Sequence, residues 1–165
     1  MYYESVFRTF HRKRVGYLIA GGMAVNLYGV PRFTKDLDIL IDPSEGNLKR
    51  LGQALRWLGY RPKVPVSLDA FLDPANWVKW KREKGMVALN LYHAKRPYEE
   101  IDLLVNVALS YSEAKRNSKV IRAGSLRLHI VGIEDLIRLK RNAKREQDLS
   151  DIEALKKVKE TQSRK

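Results

Sequence analysis

The stretch Leu18–Asp42, LIAGGMAVNLYGVPRFTKDLDILID, decides the fold of this chain. It opens inside a compact apolar run, Val15–Ala20, which stops at Gly21-Gly22 and reads as a buried strand. Met23–Tyr28 reads as a short helix ending at Gly29, and Asp36–Ile41 as a second strand. In Asp36-Leu37-Asp38-Ile39 side chains alternate, so the two carboxylates share one face and the two apolar residues the other. One face can then pack on a core while the other presents adjacent carboxylates, which repel unless protons or a cation lie between them. A divalent ion resolves that repulsion; an exposed strand edge with two solvated Asp residues is the plainer alternative. Gly21-Gly22, between strand and helix, lets the backbone approach a phosphate at a helix N-terminus, although Gly-Gly also marks ordinary tight turns.

Outward from this stretch, Asp42-Pro43-Ser44-Glu45 predicts a helix start, with Asp42 as N-cap, Pro43 at the first helical position and Glu45 closing a capping box. The helix runs through Leu48, Leu51, Leu55 and Leu58 to Gly59. A short basic helix is expected at residues 2–13. Met86–Tyr92 and Ile101–Val107 read as strands, Ser112–Asn117 as a short helix, and Val120–Ile121 with Leu126–Val131 as a hairpin around Ala123-Gly124. Ile133–Arg145 and Asp148–Lys159 read as closing helices. The order predicts an α/β or α+β fold: a mixed sheet flanked by helices, with a short C-terminal helical tail. A single domain over 1–165 is expected, its core at about 15–131 and its tail at about 132–160.

Asp102 lies inside the apolar run Ile101–Val107, where a carboxylate is costly unless it is paired or faces a cleft. If that strand neighbours Asp36–Ile41, a third carboxylate joins the pair, and three carboxylates suit a two-Mg²⁺ clamp on a triphosphate and an attacking hydroxyl. An ion pair with a basic neighbour is the alternative for Asp102. In the tail, the stripe Ile133, Leu136, Ile137, Lys140, Lys144 puts Lys140 where an apolar residue packs inward. Its ammonium either snorkels past the core or enters a cleft, where it would offset charge on leaving pyrophosphate. Arg145 is a weaker candidate for that work; Asp148 reads as an N-cap and Asp151 as support for the first helical turn.

Taken together these residues resemble the DNA polymerase β-like nucleotidyltransferase superfamily: a strand ending in Gly-Gly, a short helix, Asp-x-Asp in the next strand and one Asp in a later strand. AGGMAVNLYGVPRFTKDLDI and the ending IEDLIRLKRNAKREQDLSDIEAL resemble its AbiEii-type and minimal nucleotidyltransferases, and the likeness runs from Val15 to Leu155. The resemblance implies Mg²⁺-dependent transfer of an NMP from an NTP to an acceptor hydroxyl. By it, Gly21, Gly22, Arg32, Thr34 and Lys140 would bind nucleotide and Asp36, Asp38 and Asp102 the metal, with Asp102 a ligand or general base. It leaves the acceptor open: some AbiEii-type relatives are toxins of toxin–antitoxin pairs that transfer nucleotides to tRNA ends, which would make RNA or tRNA the acceptor and a cognate antitoxin a partner, while other relatives modify small antibiotics or a partner protein. Arg32 has an ion pair holding its loop as a second reading, and a non-catalytic nucleic-acid-binding module on a degenerate nucleotidyltransferase fold is the alternative for the whole chain.

Composition is consistent with this. The chain has 165 residues, 32 Lys+Arg against 19 Asp+Glu and a net charge of +13. The excess concentrates at the two ends, net +4 over residues 1–34 and +7 over 113–165, which fits either a polyanionic partner or a solvated basic surface. With no Cys and only His11, His93 and His129, thiolate and imidazole metal sites are excluded or disfavoured, leaving carboxylates and a hard cation. No apolar run approaches the roughly 18 residues of a membrane span, and no signal-type segment opens the chain, so a cytoplasmic protein without a membrane partner is expected. The segment NWVKWKREK (Asn76–Lys84) interleaves Trp77 and Trp80 with cations; it reads either as a base-stacking surface or as one half-buried and one surface Trp.

Overall fold

The structure, a computed structural model, describes residues 3–143 and 145–163. These form, in chain order, α1 (Glu4–Arg12), β1 (Tyr17–Ile19), α2 (Gly21–Leu27), β2 (Leu37–Ile41), α3 (Glu45–Leu58), β3 (Tyr60–Pro62), α4 (Leu68–Phe71) and α5 (Pro74–Lys84). Then come β4 (Ala88–His93), β5 (Arg96–Leu104), α6 (Tyr111–Arg116), β6 (Lys119–Ala123), β7 (Leu126–Ile130), α7 (Ile133–Ala143) and α8 (Glu146–Ser163). The strands make one mixed sheet in the order β3-β4-β5-β2-β1-β7-β6. β1 runs antiparallel to β2 and parallel to β7, while β2 runs parallel to β5 with Leu37 opposite Ile101 and Asp38 opposite Asp102. β4 pairs antiparallel with β5, so Asn90 faces Asp102 across that ladder.

The alternation in β2 separates core from site. Leu37, Ile39, Ile101, Leu103, Leu89 and Leu91 share one face of the sheet and are fully buried. Each such side chain contributes roughly 1.5–3 kcal/mol of transfer free energy. Asp36, Asp38, Asp102 and Asn90 fall on the other face. There α2 packs against β2 and α7, and α7 packs along α8, so the C-terminal helices wall the carboxylate end of the sheet.

Several boundaries differ from the sequence reading. The helix after β2 starts at Glu45 with Ser44 at its N-cap and no side-chain cap bond. Asp42 instead accepts from the Ser44 backbone at 2.9 Å, an Asx-type turn that satisfies its carboxylate before the helix begins. The predicted end holds: Gly59 takes the left-handed conformation, φ 83°. β5 begins at Arg96, earlier than its apolar run, because pairing with β4 extends the ladder past the hydrophobic stretch. α8 begins at Glu146, so Asp148 lies inside the first turn and is not the N-cap. Its carboxylate reaches back to the Arg145 backbone N–H at 3.3 Å. The segment 60–85, where no element was expected, holds β3, α4 and α5. Trp77 is buried with its indole N–H on the Phe71 carbonyl at 2.8 Å, and Trp80 is partly buried against Phe71, so both Trp side chains pack into the fold while the cations of α5 are exposed together with Val78. Residue 2 of the expected first helix, Lys144 of the α7 stripe and the chain ends at 1 and 164–165 lie outside the described residues. No helix among the described residues is long and apolar enough to cross a membrane.

Candidate active site

The carboxylates are brought together by register. Parallel pairing sets Asp38 and Asp102 side by side, and Asp36 precedes β2 by one residue, on the same side of the alternation as Asp38. All three line a cavity of about 550 Å³ with Gly21, Gly22, Arg32, Thr34 and Lys140. The sequence-predicted residues therefore share one cavity.

The carboxylates are under electrostatic load. Burial first, then the neighbouring Asp102 and Asp36 carboxylates, push Asp38 up to about 6 against the pull of Arg145 and Lys140. Burial raises Asp102 as well, opposed chiefly by a 2.7 Å hydrogen bond from the Asn90 amide. Asp36 keeps one buried oxygen, Oδ1, with no hydrogen-bond partner. An unpartnered buried carboxylate oxygen beside two carboxylates with raised proton affinity is a donor set suited to a hard cation. Among the described residues, no three or more His, Cys, Asp or Glu side chains are placed so that together they could hold a metal ion, so the three carboxylates line one cavity without forming a ready-made metal centre.

The Gly-Gly step forms the wall facing these carboxylates. Gly21 has φ +55°, and a Cβ there would fall into the Asp38 carboxylate; a Cβ on Gly22 would stand 2.6 Å from Thr34 Oγ1. Both positions admit only glycine, for backbone conformation at Gly21 and for close approach at each. Thr34 thus packs directly on the first turn of α2, whose first two residues, Gly21 and Gly22, line the cavity.

The cationic wall comes from the tail, in a form the sequence did not disclose. Lys140 is inward-facing, as its stripe predicts, with its side chain only 6% exposed. Its ammonium donates to Asp148 at 3.0 Å and to Asp151 at 2.5 Å. Arg32 also pairs with Asp151, and Arg145 with Asp148 at 3.0 Å. Burial raises the Asp148 carboxyl, but hydrogen bonds from Lys140 and Arg145 outweigh it and leave it below the ordinary value. Asp148 and Asp151 are therefore not ordinary first-turn residues: they fix three cations of the cavity region. Arg32 lines the cavity, and its ion pair with Asp151 ties the loop before β2 to α8, as its second reading expects. The missed signal was the α8 burial stripe Asp148, Asp151, Ile152, Leu155, which places two carboxylates at apolar positions opposite a lysine on an apolar stripe. Asn90 was missed because nothing in a strand sequence reveals its cross-strand neighbour. His93 accepts the Lys95 and Arg96 backbone N–H groups through Nδ1 at 3.1 Å, which makes it a turn residue.

A lincomycin-bound crystal structure of the lincosamide antibiotic adenylyltransferase LnuA superposes with a TM-score of 0.61, over 93% of each chain at 18% identity. The chain has a nucleotidyltransferase fold. No family model and no curated protein sequence matches it.

Proposed function

We propose that the protein is a Mg²⁺-dependent nucleotidyltransferase of the polymerase β-like superfamily, on the AbiEii-type branch, moving an NMP from an NTP to an acceptor hydroxyl. The observation that carries this is the register of β2 and β5, which sets Asp102 beside Asp38 and Asp36 on the floor of a cavity walled by Gly21-Gly22. Asp36, Asp38 and Asp102 would hold Mg²⁺, whose charge, when bound, offsets that of the triphosphate. Gly21, Gly22 and the α2 N-terminus receive phosphate oxygens through backbone N–H groups, with Thr34 beside them. Asp102, its proton affinity raised by burial, takes the acceptor hydroxyl proton as the oxygen attacks the α-phosphorus in line. The bond from the α-phosphorus to the bridging oxygen breaks and pyrophosphate leaves with that electron pair. Lys140 and Arg145 supply positive potential on the opposite wall. Leu104, Val107, Leu136 and Leu139 give the cavity apolar walls that exclude water and suit a nucleobase.

For the acceptor we favour RNA, a tRNA end included, on the net charge of +13. On the same reading the protein acts in the cytoplasm as the toxin of a toxin–antitoxin pair and binds a cognate antitoxin. The test is incubation with each α-labelled NTP and total RNA, with and without Mg²⁺. Label entering RNA only with Mg²⁺ and intact Asp36 and Asp38 supports the reading. RNA binding without any transfer favours the non-catalytic module, and label entering only small hydroxyl compounds removes RNA as acceptor.

A further inference from the structure

The sheet is covered unevenly. On β3, β4 and β5 the residues Tyr60, Leu89, Leu91, Glu99, Ile101 and Leu103 are buried on one face. On the other face Arg61, Lys63 and Asn90 are exposed and Tyr92 is half-buried. This open face is continuous with the catalytic floor, because Asn90 pairs with Asp102, Tyr92 with Glu100 and Arg61 with Tyr92 across successive ladders. The nucleotide cavity is walled on the Asp38 side by α2, α7 and α8, so Asp102 is the carboxylate that looks onto the open strands.

Three features of this face match a nucleic-acid strand. Lys35 and Lys63 share the Glu100 carboxylate, at 3.0 and 2.5 Å, and with Arg61 the patch carries three cations against two carboxylates, Glu100 and the adjoining Asp102. Tyr92 lies one strand across and two residues along from Asp102, about 8 Å by strand spacing and rise. It borders, with Arg61 and Pro62, a hollow of about 430 Å³ beside the edge strand. Finally, a carboxylate only accepts, so Asn90 turns its amide nitrogen to Asp102 and presents its carbonyl oxygen to an incoming hydroxyl. An RNA end offers a 2′-hydroxyl that can donate to it.

We propose that the open face of β3–β5 is the acceptor track, on which single-stranded RNA stacks a base on Tyr92, lays phosphates along Arg61, Lys63 and Lys35, and delivers its terminal ribose to Asn90 and Asp102. This rests on the RNA-acceptor reading above. The probe is a short single-stranded RNA labelled at the end remote from its acceptor hydroxyl, titrated by fluorescence anisotropy against wild type, Tyr92→Ala, Tyr92→Phe and Arg61→Ala/Lys63→Ala. Tyr92→Ala should weaken binding about tenfold and Tyr92→Phe should restore it. The double variant should flatten the salt dependence by about 1.4 in log–log slope, two lost single-strand phosphate contacts. The Mg²⁺·NTP thermal shift, measured in parallel, should be unchanged in every variant. RNA bound equally well by wild type and variants overturns the track but not the RNA reading. Wild type that fails to bind RNA, or binds the matching DNA as tightly, overturns both the track and the RNA commitment, while a retained NTP shift keeps nucleotidyl transfer standing.

Discussion

Asp38 carries the sharpest electrostatic consequence at the scale of single residues. Its carboxyl is held near 6 in the fold, against an ordinary value of 3.8. The folded state therefore binds the proton more tightly than the unfolded chain, and stability must fall as pH rises from about 4 to about 6. Ionised Asp38 beside Asp36 and Asp102 is a cost the fold carries in the absence of a cation. Asp38→Asn removes that cost, so the variant should melt higher than wild type at pH 7 without divalent ions, and the difference should vanish near pH 4. Equal melting curves at both pH values would mean that the three carboxylates do not load one another. How readily such residues could be read from sequence varied. The Asp36/Asp38 pair and Gly21-Gly22 were visible because period-two alternation and strand–turn–helix punctuation are local properties. The neighbourhood of Asp102 depended on which strand β5 chose to pair with, a non-local outcome that composition does not encode.

At the scale of elements, α7 and α8 are joined through charge buried at their shared face. The stripe in α7 was legible and Lys140 fell on it; its partners were not, because a carboxylate in a first helical turn already has a sufficient local explanation in the helix dipole. The structure changes what a Lys140 substitution tests. Lys140→Met removes the ammonium shared by Asp148 and Asp151, two carboxylates only 4% and 2% exposed, and leaves each with a single Arg partner. Breaking a buried pair on one side typically costs about 3–5 kcal/mol. The variant should therefore lose roughly 6–20 °C in melting temperature for a chain of this length. Lys140→Met/Asp148→Asn/Asp151→Asn, in which the orphaned charges are gone, should recover part of that loss. A single variant as stable as wild type would show that Arg32 and Arg145 alone hold the two carboxylates. Activity lost in Lys140→Met has to be read against that stability change.

At the scale of the whole molecule, one sheet separates the tasks. One face closes a hydrocarbon core over Leu37, Ile39 and Leu103; the other gathers carboxylates at β2 and β5, walls them with glycine backbone and a cationic tail, and continues as an open basic surface over β3–β5. The α/β class, the mixed sheet and the helical tail followed from hydrophobic periodicity. The segment between Tyr60 and Lys84 did not, because β3 is only three residues long and α5 has no strong apolar stripe to mark it. The central claim is that this cavity is a cation-dependent nucleotide site. Thermal melting with Mg²⁺ and NTP tests it without any knowledge of the acceptor. At saturation near 100 times the dissociation constant, binding adds about 2.7 kcal/mol, or roughly 5–10 °C here. Wild type should show that shift only when Mg²⁺ and NTP are both present, and Asp36→Asn/Asp38→Asn should lose most of it while folding normally. Equal shifts in the two proteins would place the nucleotide elsewhere and contradict the account.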